Sequence, residues 1–123
     1  MERMQFDAAL LKRLERERNI WLATTCADGR PHLVPVWFVY WEAAVYICVE
    51  PQSVKARNLA RDPRVTLALE DGDRALVLAG KAAPVFVPPQ VAANFKSKYN
   101  WELGSDVKYT TLLCITLAQR VMG

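Results

Sequence analysis

Thirteen residues, Ser53-Val54-Lys55-Ala56-Arg57-Asn58-Leu59-Ala60-Arg61-Asp62-Pro63-Arg64-Val65, place basic side chains at the disfavoured end of a helix. Ser53 supplies the hydroxyl with which an N-cap accepts an orphan backbone N–H. The helix it opens carries Lys55 and Arg57 in or beside its first turn, where the macrodipole is already positive and acidic residues are favoured. Each cation costs roughly a few tenths of a kcal/mol there unless an anion lies between it and the helix end. A hydroxyl, backbone amides and two cations converging on one point can bind a phosphate. The same residues can also form a solvated basic face that tolerates the penalty, and the pattern alone leaves both readings open.

Few other chemistries have support. His32 is the only histidine, so imidazole-rich metal sites and most His-dependent nucleophile schemes lack their parts. It reads as a strand-start histidine rather than a catalytic base. Cys26, Cys48 and Cys114 lie in strand-like apolar runs without a C-x-x-C pair, the pattern of reduced, buried thiols. No metal is expected. Neither a G-x-G-x-x-G nor a Walker A sequence is present. Trp37, Trp41 and Trp101 read as core or interface aromatics. A net charge of +3 and a pI of about 8.9 are too mild to argue for nucleic acid. A nucleic-acid surface at Lys55, Arg57, Arg61 and Arg64 would rest on charge alone. No apolar stretch is long enough to span a bilayer, and the charged N-terminus lacks a signal-peptide core. The expected compartment is the cytoplasm. With 52% hydrophobic and 24% charged residues, residues 1–123 are expected to form one globular domain.

Those residues must be positioned by the following elements. Residues 6–18 read as an amphipathic helix with Phe6, Leu10, Leu11 and Leu14 on one face. A strand from Ile20 to Cys26 closes on Asp28-Gly29, a hairpin signal. The run Pro31 to Tyr40 is apolar on both faces, so both must be covered, one by a barrel interior and the other by a partner chain or ligand. Pro35 within it marks an edge, a bulge or a ligand's approach. Ala43 to Val49 is a strand, and the basic helix then ends at Asp62-Pro63. Strands from Arg64 to Glu70 and Arg74 to Val85 flank Asp71-Gly72-Asp73, a second hairpin signal. A helix from about Gln90 to Tyr99 follows Pro88-Pro89, and Lys108 to Gln119 is the last strand. The order predicts a mainly β, α+β fold: a six-stranded antiparallel split barrel with peripheral helices.

Three segments carry a resemblance that covers nearly the whole chain. They are Ala27-Asp28-Gly29-Arg30-Pro31-His32-Leu33-Val34-Pro35-Val36-Trp37-Phe38, then Ser53 to Leu59 with Asp62-Pro63-Arg64-Val65, then Arg74 to Lys81. In this order and spacing they resemble the FMN-binding split-barrel family of the pyridoxamine 5′-phosphate oxidases, and within it the small FMN- or deazaflavin-dependent reductases. The resemblance implies a homodimer with the cofactor at the interface, FMN or alternatively the 8-hydroxy-5-deazaflavin coenzyme, and a small-molecule substrate. It implies that Ser53 and Lys55 hold the cofactor phosphate, with Arg57 added on charge. It also implies that Val34, Pro35 and Val36 lie along the ring, and that Val49 stands where many members place a cofactor-bonding threonine. Ala75 replaces a glutamine that reaches the ring in the oxidases. The oxidases' basic C-terminal substrate segment has no counterpart, which makes pyridoxamine phosphate an unexpected substrate. The implied activity is hydride transfer between the bound cofactor and a small conjugated compound, with no catalytic side chain assigned. A non-catalytic flavin carrier or sensor is the alternative.

Overall fold

The alternating apolar runs form seven antiparallel strands in one sheet, one more than the six expected. A computed structural model describes residues 4–123; Met1, Glu2 and Arg3, at the start of the charged N-terminal segment, lie outside them. In chain order the elements are α1 (Ala8–Arg16), β1 (Ile20–Thr25), β2 (Pro31–Val36), β3 (Val39–Trp41) and β4 (Ala44–Val49). Then come α2 (Val54–Arg61), β5 (Arg64–Leu69), a 3-10 turn (Gly72–Arg74), β6 (Val77–Pro84), α3 (Pro89–Tyr99) and β7 (Thr111–Met122).

The extra strand arises because the run Pro31 to Tyr40 is broken at Trp37-Phe38. The Phe38 N–H donates to the Tyr99 hydroxyl at 3.0 Å, and the Phe38 carbonyl accepts from Lys98 Nζ at 3.0 Å. That backbone is therefore withdrawn from any ladder. Beyond it β3 folds back on β4 through Glu42 and Ala43, whose φ angles are +46° and +64°. Two consecutive left-handed residues are what a two-residue hairpin requires, normally supplied by Asn or Gly. Here neither is present, so the turn carries no sequence signal. The second hairpin is also wider than expected. Asp71 accepts the N–H groups of Asp73 and Arg74 at 2.9 and 3.3 Å, building the 3-10 turn and delaying β6 to Val77.

The strand order is β2-β1-β5-β6-β7-β4-β3. Its two edges are consecutive in the chain, with only Trp37 and Phe38 between them. Three Cα steps span at most ~11 Å, whereas the edges of a flat seven-stranded sheet stand roughly 29 Å apart. The sheet must curl until its edges meet. No ladder joins β2 to β3, so the barrel is split there, and Pro35, without an N–H, lies on that edge.

Strand parity then sorts the side chains. Val45, Ile47 and Val49 of β4 point into the barrel with Leu22, Leu67, Leu78 and Ile115. Ala44 and Tyr46 point outwards and pack under α3 with Val39, Val91, Phe95 and Leu112. The apolar outer face expected to need an external cover is thus partly covered by α3 of the same chain. On β2 and the residue after it, Leu33 (60% exposed) and Trp37 (44% exposed) remain open. Leu14 closes the barrel beneath α1, while Leu11, read on the same buried face, is 42% exposed. At the β6–β7 bulge only glycine fits: a Cβ on Gly80 would stand 2.3 Å from the Thr116 carbonyl oxygen.

The end of α3 locks the crossing. Besides accepting from Phe38, the Tyr99 hydroxyl lies 2.7 Å from the Arg18 carbonyl and 3.0 Å from that of Phe38. Lys98 Nζ donates to the Leu14 carbonyl at 3.2 Å as well as to Phe38, and sits 3.7 Å over the Phe38 ring. Tyr99→Phe should therefore destabilise the fold by about 1–3 kcal/mol, since it strands a buried N–H; equilibrium urea denaturation measures this, and a negligible loss would mean water has replaced the hydroxyl.

Burial, seconded by the Arg18 charge, pulls the Lys98 ammonium from 10.5 down to about 8, against the weaker opposing pull of Glu17 and Glu15. The unfolded chain holds this proton more tightly. The folded state therefore carries a penalty that is complete below about pH 8 and fades as pH rises towards 10.5. Tyr99, which burial pushes up to about 12, works in the opposite direction only above its ordinary value of 10. The stability of the wild type relative to Lys98→Met should accordingly rise between about pH 8 and pH 10 in denaturation curves taken at each pH. A flat difference would show that the ammonium is as well solvated as in the unfolded chain.

Candidate functional site

Ser53 is the N-cap that the sequence predicts. Its hydroxyl accepts the Ala56 N–H at 3.3 Å and donates to the Glu50 carbonyl at 2.8 Å. The N–H groups of Val54 and Lys55 have no acceptor within the helix, and no acidic residue occupies the first turn. The four cations of this region then separate. Arg61 donates to the Thr25 carbonyl and to Asn58 Oδ1. Arg64 forms an ion pair with Asp62 at 2.7 Å, and hydrogen bonds from Arg64 hold the Asp62 carboxyl down at about 2. Lys55 and Arg57 make no ion pair among the described residues. Lys55 is half-buried and Arg57 is exposed.

Lys55 faces a cavity of about 460 Å³, which it lines together with Pro35, Val36 and Trp37 from the split edge of the sheet. Cys48 of β4, Asn19 and Phe95 extend the wall. Trp101, Asp106 and Tyr109, from the connection between α3 and β7, complete it. Of the site residues expected from sequence, Pro35, Val36 and Lys55 are thus brought to one cavity. Ser53 fixes the helix end beside it. Val34 lies on β2, and neither it nor Arg57 lines the cavity. Val49 is 0% exposed and its side chain lies inside the barrel; its neighbour Cys48, of opposite parity, lines the cavity instead. His32 pairs across the ladder with Thr24, away from the cavity lining, and its Nδ1 is buried without a hydrogen-bond partner.

Two side chains of the wall, Asp106 and Cys48, are held in one protonation state by their surroundings. Asp106 accepts the N–H groups of Lys108 and Tyr109 at 2.7 and 3.1 Å, and its other oxygen accepts Trp101 Nε1 at 3.4 Å. The Tyr109 and Lys108 amides hold its carboxyl below the usual range, so it is ionised at neutral pH. Burial, then the charge of Asp106, pushes the Cys48 thiol up to about 11. Its S–H donates to the Tyr109 carbonyl at 3.3 Å, so it is no thiolate nucleophile. Among the described residues, no group of three or more His, Cys, Asp or Glu side chains could hold a metal ion. No helix among them is long and apolar enough to cross a membrane.

Sequence reasoning misses Cys48, Phe95, Asn19, Asp106 and Tyr109 as wall residues, and reads Trp37 and Trp101 as core or interface aromatics. Strand alternation is the signal that finds Cys48: with Val45, Ile47 and Val49 pointing in, Cys48 must point out. The residues of the 100–110 connection carry no periodicity that could place them.

No sequence among curated proteins matches the chain. Among solved structures, the heme storage protein HutZ from Vibrio cholerae superposes with a TM-score of 0.74 at 21% identity, over 94% of this chain and 92% of the other. An F420 reductase gives 0.70 at 22% identity, over 88% and 92%. A conserved hypothetical protein from Mycobacterium tuberculosis gives 0.71 at 25% identity, over 99% and 85%. These likenesses concern the fold. A family model described as pyridoxamine 5′-phosphate oxidase matches residues 6–120. That span runs from before α1 almost to the end of β7 and includes every wall of the cavity, and the chain belongs to the pyridoxamine 5′-phosphate oxidase family of split barrels.

Proposed function

We propose that this protein is a flavin-dependent oxidoreductase that uses FMN, or alternatively the 8-hydroxy-5-deazaflavin coenzyme, to transfer hydride to or from a small conjugated compound. The observation that carries this reading is Lys55: an uncompensated cation at an open helix N-terminus, on the wall of an apolar cavity large enough for a cofactor-sized ring. The residues present fit the group. Ser53, the free amides of the first turn and Lys55 would hold the phosphate, with Arg57 as a second cation. Val34, Pro35 and Val36 would lie along the ring, and Val49 would contribute only through its backbone. A second copy of the chain would cover the open apolar face at Leu33 and Trp37, forming a homodimer with the cofactor between subunits.

When bound, the cofactor supplies the hydride chemistry. The chain's own residues bind, orient and exclude water. Lys55 and the helix end neutralise the phosphate, and Pro35, Val36 and Trp37 keep the ring's surroundings dry. Neither the Cys48 thiol nor the Asp106 carboxylate is poised near neutrality for general acid–base work. The same fact favours the second reading, a flavin carrier or sensor, and turnover with reduced cofactor and conjugated acceptors separates the two.

Titration of the purified protein with FMN or deazaflavin, followed by absorbance, should give binding at micromolar affinity or better; a folded protein that binds neither sinks the proposal. Lys55→Ala should weaken cofactor binding by about tenfold, as loss of a charge-assisted contact does, and leave the thermal midpoint of the apo protein within about 2 °C. An equal loss of apo stability would make Lys55 a structural cation.

A further inference from the structure

The cavity wall carries a second charge, of opposite sign to Lys55. Asp106 makes no ion pair among the described residues, because Lys108 turns its ammonium to Glu50 at 3.7 Å. A carboxylate has roughly four acceptor positions, and Asp106 uses three of them on Lys108, Tyr109 and Trp101. Those three donors fix its orientation while leaving one position on the oxygen shared with Trp101. The surrounding wall is aromatic and held by packing. Trp101 meets Phe95 edge-on at 5.6 Å, and Trp37 is stacked on Tyr99 at 4.4 Å with an interplanar angle of 9°. Tyr109 lines the same space.

Indole and phenol faces present negative potential to a ligand, and together with a carboxylate they attract organic cations that shed water easily. A phosphate-bearing cofactor satisfies Lys55 but does nothing for Asp106. We propose that the Asp106, Trp101 and Tyr109 side of the cavity is a subsite for a compact organic cation, a quaternary ammonium or a protonated ring nitrogen. The substrate of this protein then carries such a charge, an assignment that rests on the flavin-dependent reading, whereas the subsite itself does not.

The probe is benzyltrimethylammonium, with its uncharged carbon isostere neopentylbenzene as control, titrated by tryptophan fluorescence with and without saturating FMN. The cation should bind in both conditions and the isostere at least about tenfold more weakly. Asp106→Asn, which keeps an oxygen for the Lys108 and Tyr109 amides, should weaken the cation by about tenfold and leave the isostere unchanged. Equal affinity for the two probes in the wild type overturns the subsite, whether or not the variant folds, and so does an unchanged affinity in a folded variant. Displacement of the cation by FMN overturns the substrate assignment. Failure of FMN to bind, with the cation still selected over its isostere, removes the flavin reading and leaves the subsite standing.

Discussion

Everything in this fold depends on two residues being too short a link for what they join. Trp37 and Phe38 connect strands that end up at opposite edges of a seven-stranded sheet. A link of this length cannot cross the width of a flat sheet, so curvature is imposed by connectivity before any side chain is considered. The barrel interior, the uncovered edge at β2 and the cavity beside it all follow from that closure. The link has to be polar-satisfied without a neighbouring strand, and the last two residues of α3 perform that service through a hydroxyl and an ammonium. One helix end thereby fixes α1, the barrel seam and the stacked indole of Trp37 together.

The electrostatics of α2 separate structural cations from available ones. Arg61 and Arg64 are occupied with acceptors of their own neighbourhood, the first with a strand carbonyl and the second with the carboxylate two residues before it. Asn58, buried in the same helix, donates to Thr24 at 3.0 Å and ties α2 to β1. A helix anchored in this way can present its first turn as a fixed object, so the half-buried Lys55 has a defined place without a counter-ion from its own chain. Arg57, outside the cavity lining, has no such role assigned by the geometry.

Much of this is legible in the residues, and the departures have physical causes. Ser53 announces its helix because a hydroxyl at that position has one local use. Pro35 announces an edge because it has no N–H to give. The β3–β4 turn departs at Glu42-Ala43, where left-handed geometry falls on residues that do not favour it. The strand count departs at Trp37-Phe38, where the run from Pro31 to Tyr40 breaks because the backbone partner of Phe38 is a side chain 61 residues away. The cavity is half legible. The β2 edge and Lys55 follow from local rules, whereas Asp106, Trp101 and Tyr109 belong to a connection whose path is set by Asp106 accepting its own neighbours' amides. On β4, resemblance points to Val49 where parity points to Cys48.

The strand order also dictates a sequence of events during synthesis. β4 can find its inner neighbour only when β7, Thr111–Met122, has been made, and the seam cannot close until Lys98 and Tyr99 have emerged. The β3–β4 hairpin therefore waits with an unpaired edge while more than half of the chain is still to come. The interval in which that nascent edge needs shelter is set by how soon the final strand leaves the exit tunnel.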